Sequence, residues 1–409
     1  MTQSPLTTTG SAAPTRERTA GHRQAALLLA GSCMPVMGSV LITPVLPQLS
    51  QHFGSVAMAD VLVPMIVTVP ALLVAVFSPF AGQIVDRLGR KRLLLVAMFA
   101  YAVVGVAPAW LSSLGSILAS RALVGVCEAA IMTVCTTLIV DYFHEAHQRN
   151  RYLSLQTVVT TLAATVFIAV GGAVGVHGWR TPFFIYALSL IIAIPMVFLL
   201  WEPTRPKADQ SESAAVVRTP WSAIRLPVAI TVVGGFTFYV FVIEASYLAV
   251  DRGIEATDTR LIGAIAAFVA LATAIGGLLF PRLVRFGTRV LVSGAFGLQA
   301  CGMILVFAIP GLPGLVIGAI VASFGSGILL PALLTWTVAR VDFDERGRTT
   351  GWFLAAFFFG QFVTPILMNG IAVQVGGLSP AIGVVGLIAG LMALGTGAII
   401  REKRQSLPQ

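Results

Sequence analysis

The sequence predicts an all-α integral membrane protein of twelve transmembrane helices, and three observations carry that reading. Only 11% of the 409 residues are charged while 57% are hydrophobic, whereas a soluble domain is about a quarter charged. Mean hydropathy is +0.90, so lipid must be the solvent for most of the chain. The apolar runs are about 20 residues or longer and lack the roughly ten-residue alternation of a barrel strand. In hydrocarbon only helices and closed barrels satisfy the backbone N–H and C=O groups, and runs of this length are helices.

Hydropathy places the spans at 26–48, 58–80, 93–112, 114–139, 153–176, 180–201, 224–249, 259–284, 289–309, 312–338, 349–372 and 377–399. Residues 1–25, rich in Ser and Thr with scattered Arg, read as a tail. The apolar stretch after them is too long for a signal peptide and has no small-residue cleavage site. Residues 202–223 (EPTRPKADQSESAAVVRTPWSA) form the only long polar stretch between spans. Pro, Ser and charge make it a linker, which divides the chain into six-helix units at 26–201 and 224–399 and leaves a second tail at 400–409.

A net charge of +9 would suggest nucleic acid as a partner in a soluble protein. Here the basic residues cluster between apolar spans instead. With the N-terminus placed in the cytosol, all 26 Lys and Arg except Arg121, Arg180, Arg252 and Arg260 fall on the cytosolic side. The positive-inside rule therefore puts both termini in the cytosol. Cys33, Cys127, Cys135 and Cys301 lie in apolar stretches without CxxC spacing and read as small packing residues.

The two halves repeat. Loop 2–3 reads GQIVDRLGRKR from Gly82 and loop 8–9 reads GLLFPRLVRFGTR from Gly277, each with a helix-ending Gly, then Arg-Leu, then Gly and further Arg. Arg149-Asn150-Arg151 in loop 4–5 is answered by Arg346-Gly347-Arg348 in loop 10–11 at nearly the same offset. Six helices per half make the repeat parallel, its axis along the membrane normal, with a cavity where the halves meet.

Gly82-Gln83-Ile84-Val85-Asp86-Arg87-Leu88-Gly89-Arg90-Lys91-Arg92 resembles motif A of the major facilitator superfamily and sits where that family has it, between helices 2 and 3. With twelve helices and a central linker, the resemblance covers about residues 26–399 and points to the drug–proton antiporter branch. It implies two six-helix bundles that alternate access to a central cavity, and a conformational latch on the cytosolic side made by Gly82, Asp86, Arg87, Gly89, Arg90 and Lys91. From the residues alone, Gly82 would permit close helix approach, Asp86 could cap or pair across the half interface, and the Arg cluster would meet anionic headgroups.

Leu118-Ala119-Ser120-Arg121-Ala122-Leu123-Val124-Gly125 resembles the family's motif B, with its R-x-x-x-G core of Arg121 and Gly125. An Arg within a membrane helix costs at least about 2.5–3.5 kcal/mol and therefore needs a partner or a wet cavity. Glu128 follows seven residues later on the same helix face, about 10 Å along the axis, too far for a direct pair but close enough to be felt at low dielectric. Glu244 in the seventh span lies at a depth similar to that of Arg121. These three are the only charges well inside the spans, which makes them functional candidates. Glu128 is expected to bind protons or a cationic substrate with Arg121 tuning its affinity. Glu244 is expected to be a second coupling or gating acid, unless it snorkels to the outer interface. Tyr239 and Tyr247 could touch substrate.

Pro44 and Pro47 should kink the first helix near its outer end. Gln361 and Pro365, amid Phe357, Phe358, Phe359 and Phe362, should mark a kink with lipid-facing aromatics. His177 reads as an interfacial anchor and Asp342–Arg346 as a solvated turn. Drug–proton antiporters of the family usually carry a Gly-Pro followed by Gly-Gly in helix 5. Here that helix reads Val170-Gly171-Gly172-Ala173-Val174-Gly175, without proline, and helix 1 lacks the acid that many antiporters place there.

The reading is a secondary transporter in a bacterial inner membrane, monomeric and proton-coupled, exporting a small amphipathic or drug-like molecule. The alternative is an uptake symporter for an organic acid, peptide or sugar, with Arg121 gripping a carboxylate. No enzyme is expected, and no cofactor or metal: the five His lie in tails or loops, and no Walker A, HExxH or GxGxxG with a following acid occurs.

Overall fold

The computed structural model describes residues 20–80, 88–203, 221–342 and 345–400. Among them, 12 helices are long and apolar enough to cross a membrane. They are α1 (His22–His52), α2 (Ala59–Phe80), α3 (Arg90–Ala109), α4 (Leu114–Tyr142), α5 (Ala146–Gly175), α6 (Thr181–Leu199), α7 (Trp221–Asp251), α8 (Thr259–Phe286), α9 (Thr288–Ala308), α10 (Gly311–Val338), α11 (Arg346–Val375) and α12 (Leu378–Ile399). With an even number of crossings, Ala20 and Ile400 fall on one face of the bundle, here termed the near face. Loops 1–2, 3–4, 5–6, 7–8, 9–10 and 11–12 lie on the far face.

The ends of the helices follow local chemistry. Hydropathy misses the first turns of α5, because His147, Arg149 and Arg151 are helical but polar. It also leaves His22–Ala25 in a tail and 221–223 in a linker, although α1 begins at His22 and α7 at Trp221. Gly21 N–H donates to Gln24 Oε1 at 3.0 Å and closes the first turn of α1. Ser113 accepts Ser116 N–H at 3.2 Å at the start of α4. Asp258 accepts Leu261 N–H at 3.1 Å at the start of α8. Both side chains serve donors that a helix N-terminus leaves unpaired.

α1 is broken where its prolines require it. The α-helix stops at Val40, Thr43–Val45 form a 3₁₀ turn, and the helix resumes at Leu46. Pro44 and Pro47 have no N–H to return to the preceding turn. α11, by contrast, runs unbroken through Pro365. Of its aromatics, Phe359 is exposed toward lipid, but Phe357 is buried and turns inward against Phe238, with ring centroids 5.2 Å apart. The expectation of uniformly lipid-facing rings fails there because the backbone of Phe357 packs on Gly235, where a side chain would not fit.

α1–α6 pack chiefly on one another, as do α7–α12. The repeat is visible in the backbone. Gly89 precedes α3 with φ 82°, and Gly287 precedes α9 at the equivalent place with φ 84°. Both turns need the left-handed region that a Cβ disfavours.

The halves meet along α2–α11 and α5–α8. At α5–α8 the contact is made of small residues. A Cβ on Gly172 would lie 2.7 Å from Gly263 Cα and 2.6 Å from Thr259 O, and Thr259 Oγ1 donates to Gly172 O at 2.8 Å. Val40, Ile168, Ala266 and Ala267 continue this contact inward as a buried cluster. On the far face Ser50 of α1 and Tyr247 of α7 are hydrogen-bonded through their hydroxyls at 3.0 Å. Arg252 there is a staple within the second half. It donates to the carbonyls of Val306 (2.7 Å), Ile309 (3.2 Å) and Gly311 (2.5 Å) and to Ser379 Oγ (3.0 Å). Among the described residues no comparable packing joins α4 to α10. The α2–α11 contact reaches the near face, where a Cβ on Gly351 would lie 3.2 Å from Pro79 Cα, so the halves touch toward both faces.

Gly263→Leu is expected to pry α8 from α5. Overpacking of this kind costs about 1–3 kcal/mol, so the purified protein should unfold at lower temperature, whereas Gly294→Leu, whose Cβ would meet open space, should not.

Candidate functional site

The three charges expected within the spans are all buried: Arg121 is 0% exposed, Glu128 2% and Glu244 5%. Glu244 therefore does not snorkel to the interface. It sits one turn from both Val240 and Leu248, which belong to the core of the second half, and makes no hydrogen bond among the described residues.

Arg121 and Glu128 lie within the first half, between α4, α1, α3 and α6. Arg121 Nε donates to Ile66 O of α2 at 3.1 Å, and Nη2 donates to Gly38 O of α1 at 2.8 Å. Each acceptor has lost its usual donor. Residue 70, whose N–H would serve Ile66 O in an intact α2, is Pro70. Gly38 lies where the α-helical ladder of α1 ends: Leu41 N–H still donates to Met37 O at 3.0 Å, and the next backbone bond runs from Val45 N–H to Ile42 O. In lipid such carbonyls have no water to turn to, and Arg121 supplies two of them. Its guanidinium also lies 5.0 Å from the centroid of the Tyr186 ring, within cation–π range. The remaining nitrogen, Nη1, has no hydrogen-bond partner.

Glu128 does not bond to Arg121, as the seven-residue spacing requires. Its carboxylate sits against Gly38, where any Cβ would collide with Oε1, and Oε1 is buried without a hydrogen-bond partner. Tyr101 of α3 stands beside it and donates its hydroxyl to Met34 O at 2.5 Å. The rings of Tyr101 and Tyr186 lie 5.2 Å apart. The first half thus holds a fixed cation, a buried carboxylate and two tyrosines in one sealed cluster. Gly125, the motif B glycine, lets α4 approach α2 closely, because a Cβ there would stand 2.6 Å from Pro70 Cα.

The cluster borders the second half. Tyr239 of α7 is buried and donates its hydroxyl to Ser39 O at 2.7 Å, one residue along α1 from Gly38. Ser39 O is another carbonyl at the end of the ladder, and Thr43 Oγ1 serves the next one, Val40 O, at 2.9 Å. Tyr239 and Tyr247, singled out as possible substrate contacts, both have their hydroxyls engaged with α1 in this state.

Of the motif A residues, Gly82, Asp86 and Arg87 lie outside the described residues. Gly89, Arg90 and Lys91 form a near-face junction within the first half. Arg90 is ion-paired with Asp141 at the end of α4. Arg90 N–H and Lys91 N–H donate to the two carboxylate oxygens of Glu202 at 2.6 and 2.9 Å, and Lys91 Nζ donates to Val197 O at 2.8 Å. Glu202 is thus an anionic cap on α3 delivered from the end of α6. By sequence Glu202 falls at the start of the polar linker. The available signal was an acid directly after a span, opposite a helix start carrying Arg-Lys-Arg.

On the near side of the first half, Gln156 of α5 bridges α1 and α4, donating to Ser32 Oγ at 2.7 Å and Thr136 Oγ1 at 3.1 Å. Cys33, Cys127 and Cys135 are buried packing residues as expected, whereas Cys301 is exposed.

Two repeated six-helix halves that meet through small residues, with unpartnered charge buried beside the meeting surface, define a transmembrane transporter. The chain belongs to the Major Facilitator Superfamily, whose model matches residues 28–250 and again 227–408. It is 27% identical over 352 residues to an uncharacterized MFS-type transporter, YceJ, of Bacillus subtilis, covering 81% of this chain and 85% of that one. It is 26% identical over 287 residues to the multidrug efflux pump LfrA of Mycolicibacterium smegmatis, over 70% of this chain and 52% of the pump. It is 20% identical to the quinolone resistance protein NorA of Staphylococcus aureus, over 81% and 85%. In fold it is similar to a bacterial homologue of the human lysosomal transporter Spinster, crystallised in an inward-facing, unoccupied conformation. That match has a TM-score of 0.74 at 16% identity and covers 93% of this chain and 98% of the other.

Two outcomes follow. Arg121→Lys keeps the charge, but one ammonium cannot replace the planar fork that spans carbonyls on two helices. With a carbonyl left unserved, a loss of about 1–3 kcal/mol is expected in the unfolding free energy, where a role in charge alone would leave stability unchanged. Glu202→Ala removes the cap of α3 and should cost about 0.5–2 kcal/mol by the same measurement.

Proposed function

We propose that this transporter exports a small amphipathic or drug-like molecule in exchange for protons, by alternating access, with Glu128 as the proton-carrying group. The observation that carries the reading is the Glu128 carboxylate itself: fully buried, one oxygen unpartnered, about 10 Å along one helix from a permanently charged Arg121. A proton arriving there changes the charge of a sealed, low-dielectric site, where such a change is strongly felt. Arg121 sets the affinity of the site for protons and holds α1 in place. Glu244 serves the second half as a further coupling or gating acid. Relatives bearing multidrug efflux and quinolone resistance names support a drug-like substrate and the outward direction. An uptake symporter in which Arg121 grips a substrate carboxylate fits less well, because Arg121 is wholly enclosed and already serves two backbone carbonyls.

The near face is the cytosolic one on this reading. Arg90, Lys91 and Arg92, Arg149 and Arg151, Arg282, Arg285 and Arg289, and Arg346 and Arg348 all lie at near-face helix ends, as positive-inside bias in an inner membrane requires. The transporter works as a monomer on the same reading. The motif A residues Gly82, Asp86, Arg87, Gly89, Arg90 and Lys91 act as the near-face latch.

A proton moving down 100 mV supplies about 2.3 kcal/mol, about fiftyfold in accumulation. In vesicles with an imposed proton gradient, Glu128→Gln should lose this concentrative component while still binding substrate, as measured by thermal stabilisation. Undiminished gradient-driven transport would remove Glu128 from the mechanism.

A further inference from the structure

Position 38 of α1 is where the cluster converges. Its carbonyl accepts both Arg121 Nη2 at 2.8 Å and the Tyr186 hydroxyl at 3.3 Å. Its Cα side is filled by a carboxyl from another helix. A Cβ built on Gly38 would collide with Glu128 Oε1, and would stand 3.0 Å from Glu128 Cδ and 2.9 Å from the Tyr101 hydroxyl. The Glu128 carboxyl therefore occupies the space that a side chain of α1 would take.

We infer that Gly38 is a positioning residue for the coupling carboxyl. Its missing side chain is the seat that holds Glu128 beside Arg121 and Tyr101, and its carbonyl ties that seat to Arg121. The inference rests on the proposed role of Glu128 and adds where the carboxyl must be held and by what. Two consequences distinguish a seat from a mere packing glycine. Filling it must alter the proton chemistry of Glu128, and a carboxyl delivered into it from α1 must work in place of one delivered from α4. The seat also explains how the site can speak to the other half, since the next residue, Ser39, offers its carbonyl to Tyr239 of α7. A shift of Glu128 against Gly38 bears directly on the α1 segment that the second half grips.

The test needs no knowledge of the substrate. Infrared difference spectra of the full-length protein in lipid, recorded as pH is varied, report the C=O stretch of a protonated buried carboxyl, and the band lost in Glu128→Gln belongs to Glu128. In Gly38→Ala that band should shift in frequency, and its titration midpoint should move by about one pH unit or more, tenfold in proton affinity. Gly38→Asp/Glu128→Ala should regain a titrating band that Glu128→Ala alone lacks. It should also regain gradient-driven ethidium transport if the wild type transports ethidium. Should Gly38→Ala not fold, Gly38→Ala/Glu128→Ala must recover a monodisperse protein, because the collision is then relieved from the other side. An unchanged band and midpoint in Gly38→Ala overturns the seat, as does a folded Gly38→Asp/Glu128→Ala without a band, or a double alanine variant no better folded than the single one. If Glu128→Gln removes no titrating band from the wild type, the proton-carrying role of Glu128 itself falls, an outcome separate from the failure of the seat.

Discussion

A backbone carbonyl in hydrocarbon must find a donor within the protein, and a proline four residues ahead takes its usual donor away. Much of this transporter's first half is organised by that shortage. Pro70 frees Ile66 O in α2, and the break in α1 frees the carbonyls of Gly38, Ser39 and Val40. Arg121 reaches two of them, Tyr239 a third and Thr43 the fourth. An Arg in a membrane helix is expensive by itself, but here it is held by acceptors that would be expensive without it. The same contacts fix the height of α4 against α1 and α2, and with it the position of Glu128.

Because three of those carbonyls lie on one short segment of α1, that segment belongs to both halves. Gly38 faces the buried charge cluster, Ser39 faces Tyr239 of α7, and Val40 belongs to the cluster that runs between α5 and α8. The small residues at Gly172 and Gly263 let the halves approach almost backbone to backbone. On the proposed reading, two repeated halves, small residues where they meet and one shared segment are parts that rocking about a central site can use. The paired glycine turns before α3 and α9, with nearly equal φ, show that both halves carry the same loop geometry on the near face.

The fold was legible because its signals are long and redundant. Twelve apolar runs, the positions of the basic residues and the Gly89 and Gly287 loops each give the same answer. The buried charges were legible too, since Arg121, Glu128 and Glu244 stand alone in apolar surroundings. Their partners were less so. By sequence Arg121 calls for Glu128 or a wet cavity, but its acceptors are backbone carbonyls, which carry no letter in a sequence. The clue was Pro70, which marks Ile66 O as unserved, and it acts only once α2 lies beside α4. Gly38 likewise looks like one small residue among many until Glu128 is seen to fill its side-chain space. Glu202 read as linker because its role depends on α6 ending next to the start of α3.

On the proposed reading, the energetics of the charge cluster bear on how tightly protons and solute are linked. Arg121 and Glu128 converge on Gly38, one on its carbonyl and the other on its Cα side, so their charges lie closer than the helix rise between their backbones. Two unit charges about 6–8 Å apart interact by about 2–3 kcal/mol at an effective dielectric of 20. Neutralising Glu128 therefore changes its interaction with Arg121 by about that much, a factor of about thirty to a hundred and fifty in an equilibrium. Reversing a two-state population from 1:99 to 99:1 needs about 5.5 kcal/mol. Protonation alone thus biases the halves without throwing them over. The rest must come from groups that change partners as the halves rock, among them the Tyr239 and Tyr247 hydroxyls and Glu244, and from the solute itself. A proton that could reverse the halves unaided would leak down its gradient without cargo. The modest strength of the Arg121–Glu128 interaction, set by the absence of a direct bond, is what an exchanger that must not slip requires.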